Sequence, residues 1–329
     1  MMDRRHFVTV ATGASLACAT SLRAQAQPAL RRIVFLTVFP RADSEAFTGM
    51  LRSELHKLGW SDGRQVTLEL RSTEGRNELL PAAAAEIVAR APDLLLVQTI
   101  PATRALMQAT QTIPIVMVSV GNPVEHGLVA DYRRPGGNVT GSVYPADEAV
   151  RKLLQLLKEA VPRLRSVTIF ANPSNEAAAT MARQTRTDSV ALGLQLQVVE
   201  VRSQSDFEAA FAVVRGAGSQ AILLPPEPLI HSQREAVAGF ARAQGVPLVL
   251  VGAGRSLPAS GLMAFAPVRS EFAEIAARQV DRILRGARPG DLPIELPTRF
   301  ELVLNQRSAQ ALGLTLPQSL LLRATEVIE

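Results

Sequence analysis

Residues 112–142 read TIPIVMVSVGNPVEHGLVADYRRPGGNVTGS, and this stretch decides the fold class. Its run from Ile115 to Val118 is continuously apolar and largely β-branched, which is typical of a strand buried on both faces. The run stops at Ser119. The following Gly121-Asn122-Pro123 predicts a helix start, with Asn122 as N-cap and Pro123 at the first helical position. Since ligands of open α/β sheets bind at the carboxyl ends of the strands, the stretch predicts a binding edge.

The same alternation of strand-like and helix-like segments runs through most of the chain. Apolar runs predict strands at 32–38, 66–70, 94–98, 138–143, 167–170, 194–201, 221–224 and 247–251. Helical periodicity predicts helices at 47–58, 77–90, 102–110, 146–160, 176–192 and 231–243, with a further helix opened by a capping box at Ser205–Glu208. Repeated strand–helix units predict parallel sheets with helices on both faces.

An internal repeat relates the two halves of the chain. Pro40 and Pro173 each follow a strand, Gly59 and Gly193 each close a helix, and Pro114 and Pro247 each open a strand. These three pairs are separated by 133, 134 and 133 residues. Two copies in one register predict a duplicated Rossmann-like domain, with both carboxyl edges facing one ligand cleft.

Residues 1–26 have the composition of an export signal. A basic start is followed by a small apolar segment and by Ala24-Gln25-Ala26, an A-x-A cleavage pattern. Arg4-Arg5-His6-Phe7 resembles a twin-arginine signal, although Asp3 departs from it and leaves the Sec route open. Cys18 leaves lipidation as an alternative. We expect periplasmic export with cleavage near Ala26.

Composition excludes several kinds of site. The chain of 329 residues has one cysteine, Cys18, so the expected mature protein has no thiol nucleophile and no Cys-ligated metal. The formal net charge is +5, but the arginines are scattered among acids, which argues against nucleic acid as a partner. We expect no cofactor and no metal site.

Several motifs together resemble the substrate-binding proteins of ABC transporters that have the type 1 periplasmic-binding fold, in the branch with tryptophan- and tyrosine-uptake binding proteins. They are Gly121-Asn122-Pro123-Val124, Pro135-Gly136-Gly137-Asn138-Val139-Thr140-Gly141, Asn172-Pro173-Ser174-Asn175 and the tail Phe300-Glu301-Leu302-Val303-Leu304-Asn305 with Ala311-Leu312-Gly313-Leu314.

The resemblance implies an α/β protein of two Rossmann-like lobes with parallel sheets, joined by crossovers, with the ligand cleft between the lobes. Lobe 1 is expected at 27–144 plus 263–296, and lobe 2 at 145–262 plus 297–329. The crossovers are expected near Val143-Tyr144, before Leu262 and near Pro297. The implied protein is a monomer that closes by a hinge motion on a small solute and delivers it to an ABC permease in the inner membrane.

The predicted strand ends supply the candidate ligand-binding residues: Thr37, Phe39, Thr99, Ile100, Ala102, Ser119, Gly121, Asn122, Tyr144, Asn172, Asn175, Pro225, Glu227 and Ala253. Ser119 and the N–H groups after Gly121 suit a carboxylate. Asn172 and Asn175 would donate to it from the other lobe. Glu227 could pair with an ammonium group, and Phe39 and Tyr144 could stack on a flat or aromatic ligand. We therefore expect a carboxylate-bearing, amino-acid-like or aromatic solute.

Each of these residues also has a purely structural interpretation. Asn172 and Asn175 could cap a helix, Ser119 could satisfy its own turn, Phe39 could be core, and a Glu in a Pro-rich loop such as Glu227 is often solvated.

Other classes of protein fit less well. The chain has no H-E-x-x-H, G-x-S-x-G or paired-carboxylate motif, and Gly252-Ala253-Gly254 lacks the third glycine of a dinucleotide loop, so no catalytic residues are expected. A lactose-repressor-like regulator shares the expected fold, but it would need a helix-turn-helix where this chain has an export signal. A sensor that presents its ligand to a receptor is the main alternative.

Overall fold

The computed structural model describes residues 30–252 and 257–329. The export segment 1–26 and Ala253 lie outside the described residues. The described chain forms two sheets, of five and seven strands. The predicted α/β class with two mostly parallel sheets is confirmed.

The first sheet is built from the first 143 residues. Its strands and helices are β1 (Arg31–Thr37), α1 (Arg41–Lys57), β2 (Val66–Ser72), α2 (Leu80–Ala89), β3 (Leu94–Val97), α3 (Ile100–Ala109), β4 (Ile115–Val120) and β5 (Val139–Val143). The strand order is β2-β1-β3-β4-β5, and all neighbours are parallel.

The second sheet follows the same plan and adds two strands. Its elements are α4 (Ala146–Ala160), β6 (Ser166–Ala171), α5 (Glu176–Ala191), β7 (Gln195–Glu200), α6 (Phe207–Gly216), β8 (Ile222–Leu224), α7 (Pro228–Ser232), α8 (Arg234–Gln244), β9 (Leu248–Val251) and β10 (Met263–Pro267). After α9 (Arg269–Leu284) come β11 (Phe300–Asn305), α10 (Gln306–Ala311), α11 (Gln318–Leu321) and β12 (Glu326–Ile328).

The sheet order confirms the internal repeat. In the second sheet the order is β12-β11-β10-β9-β8-β6-β7, so β7-β6-β8-β9-β10 repeats the order β2-β1-β3-β4-β5 of the first. The two halves therefore place equivalent strand ends at equivalent positions. β11 pairs with β10 in the antiparallel direction and returns the chain to the second sheet after α9.

The second crossover lies later in the chain than the resemblance implies. Residues 263–267, which it assigns to lobe 1, form β10 and pair with β9 in the second sheet. Helix α9 instead packs on the first sheet, where Phe272 and Val280 join a cluster with Phe35 and Val116. We call residues 30–144 and 268–296 the first lobe, since the segment after α9 also packs on the first sheet, and the other described residues the second lobe; the chain crosses at Val268.

Helices cover both faces of each sheet. Along β1, Ile33 and Phe35 join a cluster with α1 and α9, while Val34 and Leu36 join a cluster with α2 and α3. The run Ile115–Val118 is fully buried, as predicted for a strand buried on both faces. No helix of the described residues is long and apolar enough to cross a membrane.

The helix predicted after Gly121 is wrong. The chain makes a single turn instead, in which the amides of His126 and Leu128 donate to the carbonyls of Asn122 and Pro123. Gly127, at φ +65°, then ends the turn, because a left-handed residue stops helix propagation. His126 is buried in this turn.

The capping box lies two residues before the predicted one and belongs to a short 3-10 turn, Gln204–Asp206, that precedes α6. Ser203 is the N-cap of that turn, and the Asp206 carboxylate accepts from its backbone N–H at 3.0 Å. Helix α6 follows directly and begins at Phe207.

Candidate functional site

The carboxyl edges of the two sheets form the candidate site. In the order β2-β1-β3-β4-β5 the chain leaves β1 and β3 toward opposite sides, which opens a crevice at their carboxyl ends. β6 and β8 create the equivalent crevice in the second lobe. The edges approach each other at Tyr144 and at His231, both described below. We call the space between them the cleft.

Thr37 ends β1, and its hydroxyl makes hydrogen bonds within its own lobe. Its hydroxyl donates to Oε1 of Gln98 at 3.2 Å and accepts from the Phe39 amide at 3.2 Å. The Thr37 side chain is fully buried. It therefore joins the ends of β1 and β3, and Gln98 is the residue that sequence reasoning missed. Its position directly after the β3 apolar run was the available signal.

Phe39 follows the end of β1 and is half-buried against the first-lobe core. Its carbonyl accepts from Ser72 Oγ at 2.6 Å. These contacts match the core interpretation of Phe39, while the exposed part of its ring remains at the edge of the sheet.

No side chain caps the start of α3. Thr99, the N-cap, has a left-handed backbone with φ 75° and makes no side-chain capping hydrogen bond. Its Oγ1 atom is buried and has no hydrogen-bond partner in the described structure. Ile100 and Ala102, the next candidates, are buried in the first turn, and Pro101 between them has no N–H. The first N–H groups of α3 are thus left uncapped by any side chain.

The carboxylate site predicted after β4 is expected at a helix start, and the structure has a turn there instead. Because no helix follows Gly121, neither helix N–H groups nor a helix dipole acts there. The Ser119 amide donates to Ser142 Oγ at 3.0 Å, and Asn122 Nδ2 donates to Asp147 Oδ2 at 3.1 Å. These hydrogen bonds hold the turn, in which Ser119 and Asn122 both have positive φ.

The second lobe presents a buried carboxylate. Glu227 is only 4% exposed, so the interpretation that it is solvated is wrong. One oxygen accepts from Asn172 Nδ2 at 3.2 Å and Asn175 Nδ2 at 3.3 Å, and the other accepts from the Ile230 amide at 3.0 Å. Asn172 and Asn175 therefore give amide donors to Glu227, whereas the sequence predicts that they give them to a ligand carboxylate.

Glu227 also caps α7. It is the N-cap of that helix and follows Pro225, which is buried at the end of β8. Thr99 and Glu227 occupy equivalent places after the third strand of each lobe. The Glu227 carboxylate caps the start of α7, whereas the Thr99 hydroxyl at the start of α3 has no partner among the described residues.

Tyr144 joins the lobes at the first crossover. Its amide donates to the Val120 carbonyl at 3.1 Å, and its ring stacks on Phe272 of α9 with centroids 6.2 Å apart. It also packs against the second-lobe core. The ring is therefore partly enclosed between the lobes.

Electrostatic interactions link the two lobes at His231. His231 of α7 lies within electrostatic range of Asp43 in α1 and Arg269 in α9. Arg269 Nη2 donates to the Asp43 carbonyl at 2.7 Å. Burial, and then the positive charge of Arg234, lowers the pKa of the His231 imidazole, while Asp43 opposes this shift.

Within the described ranges, no group of three or more His, Cys, Asp and Glu side chains is arranged to hold a metal ion. The polar groups at the ends of the central strands described above are amides, hydroxyls and the Glu227 carboxylate. This set can bind a small polar molecule through hydrogen bonds and one charge.

Residues 37–328 match the family model of ABC transporter substrate binding proteins. A tyrosine-binding protein of Clostridioides difficile is 26% identical over 266 residues, which cover 79% of this chain and 74% of the relative.

Two solved structures share the fold. One is an ABC domain from Streptococcus pneumonia in complex with L-Trp, with a TM-score of 0.82 and 24% identity, covering 91% of this chain and all of that chain. The other is a ligand-free, open substrate-binding protein from Clostridium difficile, with a TM-score of 0.70 and 19% identity, covering 91% of this chain and 99% of that one.

Proposed function

The chain belongs to the family of ABC transporter substrate-binding proteins, and on this premise we propose that it captures an amino-acid-like solute in the cleft. Its fold is that of the type 1 periplasmic binding proteins, and small-solute binding and association with an ABC transporter are properties of the family. The finer proposal concerns the solute. It is a zwitterion whose ammonium group pairs with Glu227 and whose carboxylate meets the start of α3.

The buried Glu227 carboxylate carries this proposal. Its three hydrogen-bond donors, from Asn172, Asn175 and Ile230, are all uncharged. In the described part of the chain, no Lys or Arg forms an ion pair with it. A buried carboxylate is stable when it is paired with a cation, and a ligand ammonium at the cleft edge would supply that cation.

The start of α3 supplies the complementary half. Its uncapped N–H groups carry a partial positive charge, and the buried Thr99 hydroxyl can donate one more hydrogen bond. A carboxylate there would be held by the first lobe while Glu227 of the second lobe holds the ammonium. The names of the relatives, a tyrosine-binding protein and a complex with L-Trp, support an amino-acid-like solute.

Binding of one solute by both lobes explains capture. A ligand that contacts both strand edges binds the closed arrangement better than an open one, and it shifts the population toward closure by that difference. The closed protein would then deliver the solute to the permease. Phe39 and the Tyr144 ring would flank a flat or aromatic ligand body.

The remaining features of the proposal follow from the sequence. The protein is exported to the periplasm by the 1–26 segment, acts as a monomer, is not an enzyme, and meets its permease at the inner membrane. The lobes, apart from residues 263–267, have the limits predicted above.

Three related compounds test the proposal. Calorimetric titration would use L-tyrosine, tyramine, which lacks the carboxylate, and 3-(4-hydroxyphenyl)propionate, which lacks the amine. We expect L-tyrosine to bind most tightly. In Glu227→Gln the affinity for tyramine should fall and that for the propionate should not; in Thr99→Val the reverse should hold. Glu208→Gln, at an exposed position of α6, is the matched control.

The outcome is decided by the pattern across compounds. Hydrogen bonds to charged groups contribute roughly 1.5–3 kcal/mol, so each sensitive affinity should fall about ten-fold or more. Equal losses for both partial analogues in both variants would reject the proposed orientation. Equal wild-type affinity for all three compounds would reject the zwitterion.

A further inference from the structure

The Tyr144 hydroxyl has no role in the fold as described. It is buried and has no hydrogen-bond partner within residues 30–252 and 257–329. The same ring makes its packing contacts through carbon atoms, on Phe272 and on the second-lobe core. A phenylalanine would keep those contacts without burying an unpaired polar atom, so the hydroxyl is unexplained by packing.

The hydroxyl lies at the strand ends of the second lobe. A Cβ atom added to Gly252 would lie 2.9 Å from Tyr144 Oη and 2.9 Å from Cβ of Pro226. Gly252 directly follows β9, and Pro226 follows β8. Gly252 also has φ +95°, which favours glycine. Glycine at position 252 therefore leaves space beside the Tyr144 hydroxyl, at the carboxyl edge where the proposed site lies.

The phenol is a permanent donor there. Burial, reinforced by the negative charge of Glu301, raises the pKa of the Tyr144 phenol well above its usual value. The O–H bond therefore persists at all physiological pH values. Among the described residues, buried hydroxyls without a partner also follow β2, at Thr73, and β3, at Thr99, and Thr99 is already placed on the proposed solute.

We propose that the Tyr144 hydroxyl donates a hydrogen bond to an acceptor atom of the bound solute, which makes Tyr144 a specificity-determining residue at the hinge end of the cleft. The inference rests on the proposed function, since it requires a solute in the cleft. It goes beyond ring stacking, because it selects solutes that carry an acceptor near the first crossover. Tyr144 touches both lobes, so this hydrogen bond forms where the lobes meet.

The chain offers a matched control for the test. It contains two tyrosines, Tyr132 and Tyr144, and Tyr132 is 36% exposed in the loop between β4 and β5. The experiment compares wild-type protein with Tyr144→Phe and Tyr132→Phe. Calorimetric titration with L-tyrosine and L-tryptophan gives the affinity, and thermal denaturation of the solute-free proteins gives Tm.

Two readouts together decide the inference. We expect Tyr144→Phe to weaken binding about three- to ten-fold, as for loss of one neutral hydrogen bond, while Tm of its solute-free form equals or exceeds that of wild type. Tyr132→Phe should change neither affinity nor Tm. A structural hydroxyl would instead lower Tm when removed.

Failure of the inference differs from failure of the proposed function. If wild type binds a probe and Tyr144→Phe binds it equally well, the inference is wrong and the solute assignment stands. A lower Tm for solute-free Tyr144→Phe also overturns it. If wild type binds neither probe, the amino-acid assignment is wrong and the Tyr144 assignment fails with it.

Discussion

The Asn172 side-chain amide donates to Oε1 of Glu227 at 3.2 Å, so the end of β6 holds the carboxylate that begins α7. Asn172 Oδ1 also accepts from the Ser174 amide at 3.0 Å, which fixes the orientation of its side chain. The two residues are 55 positions apart in the chain. This pair therefore joins the end of β6 to the start of α7 in the second lobe.

Replacing that donor by an acid should destabilise the protein in a pH-dependent way. Asn172→Asp keeps the acceptor for Ser174 but places a second carboxylate against Glu227. We expect a loss of about 1–3 kcal/mol in the free energy of unfolding at pH 7 and a smaller loss near pH 4, where one carboxyl binds a proton. Chemical denaturation at both pH values measures it. Asn77→Asp, at an exposed position, should change stability by less than about 0.5 kcal/mol. A loss that does not depend on pH would contradict the pairing.

The third crossover should depend on the ionised form of Glu271. This carboxylate accepts from the amide and hydroxyl of Thr298 and from the Arg299 amide, at 2.8 to 2.9 Å. Burial raises the pKa of Glu271, but these hydrogen bonds outweigh it and hold the pKa below its usual value. The stabilisation is therefore present above the unfolded pKa of about 4.3 and is lost as pH falls through the lower folded pKa.

Glu271→Gln tests this linkage. At pH 7 we expect a loss of roughly 1.5–3 kcal/mol, and the difference from wild type should shrink below about pH 4. Glu274→Gln, which removes only the partly exposed pair with Arg299, should lose about 1 kcal/mol or less. Denaturant titrations from pH 3 to pH 7 provide the data. Equal losses in the two variants would show that the crossover is not held by Glu271.

Solute affinity should fall in acid through His231. Burial, and then the positive charge of Arg234, lowers the pKa of this imidazole, which lies within electrostatic range of Asp43 and Arg269 of the other lobe. Opening the cleft would return it toward its ordinary pKa of about 6.5, so the open form binds more protons. Acid then favours opening, and affinity decreases as pH falls from about 7.5 to 5.5.

Two histidine variants isolate this effect. His231→Gln should have a flatter affinity profile over that pH range, whereas exposed His56→Gln should keep the wild-type profile. Calorimetry with L-tyrosine at several pH values gives both profiles. An unchanged slope in His231→Gln would assign the pH dependence to another group.

Gly252 should not tolerate a side chain. Alanine there would adopt an unfavourable φ of +95° and would press on Tyr144 and Pro226. We expect Gly252→Ala to lose about 1–3 kcal/mol of stability and to bind solute more weakly. Gly245→Ala is the control, because Gly245 has φ +64° but nothing within 4 Å of an added Cβ. Thermal denaturation of both variants should show the larger loss at Gly252; equal losses would indicate backbone strain alone.

The sequence predicted the fold well because its main signals are local. Buried parallel strands appear as apolar runs, and the three repeated landmarks indicated that both halves share one strand order. The helix after Gly121 failed for a local reason as well. Asn122-Pro123 opens a turn correctly, but Gly127 ends it four residues later.

The site was less predictable because its contacts are not local. Strand-end positions such as Thr99 and Tyr144 were found from the apolar runs, whereas the partners of Glu227 come from 52 and 55 residues away. A carboxylate in a Pro-rich loop gives no sign in sequence that two amides bury it. The placement of β10 likewise depends on sheet pairing with β9 and β11, which no local pattern shows.

We expect the cleft to hold one solute with both an ammonium and a carboxylate group. Native mass spectrometry of the protein, purified from cells without unfolding, measures the mass of any co-purified solute before and after denaturation. The expected result is a single stoichiometric solute that is an amino acid or a close derivative. A stoichiometric solute without a basic nitrogen, such as a sugar or a simple carboxylic acid, would contradict it.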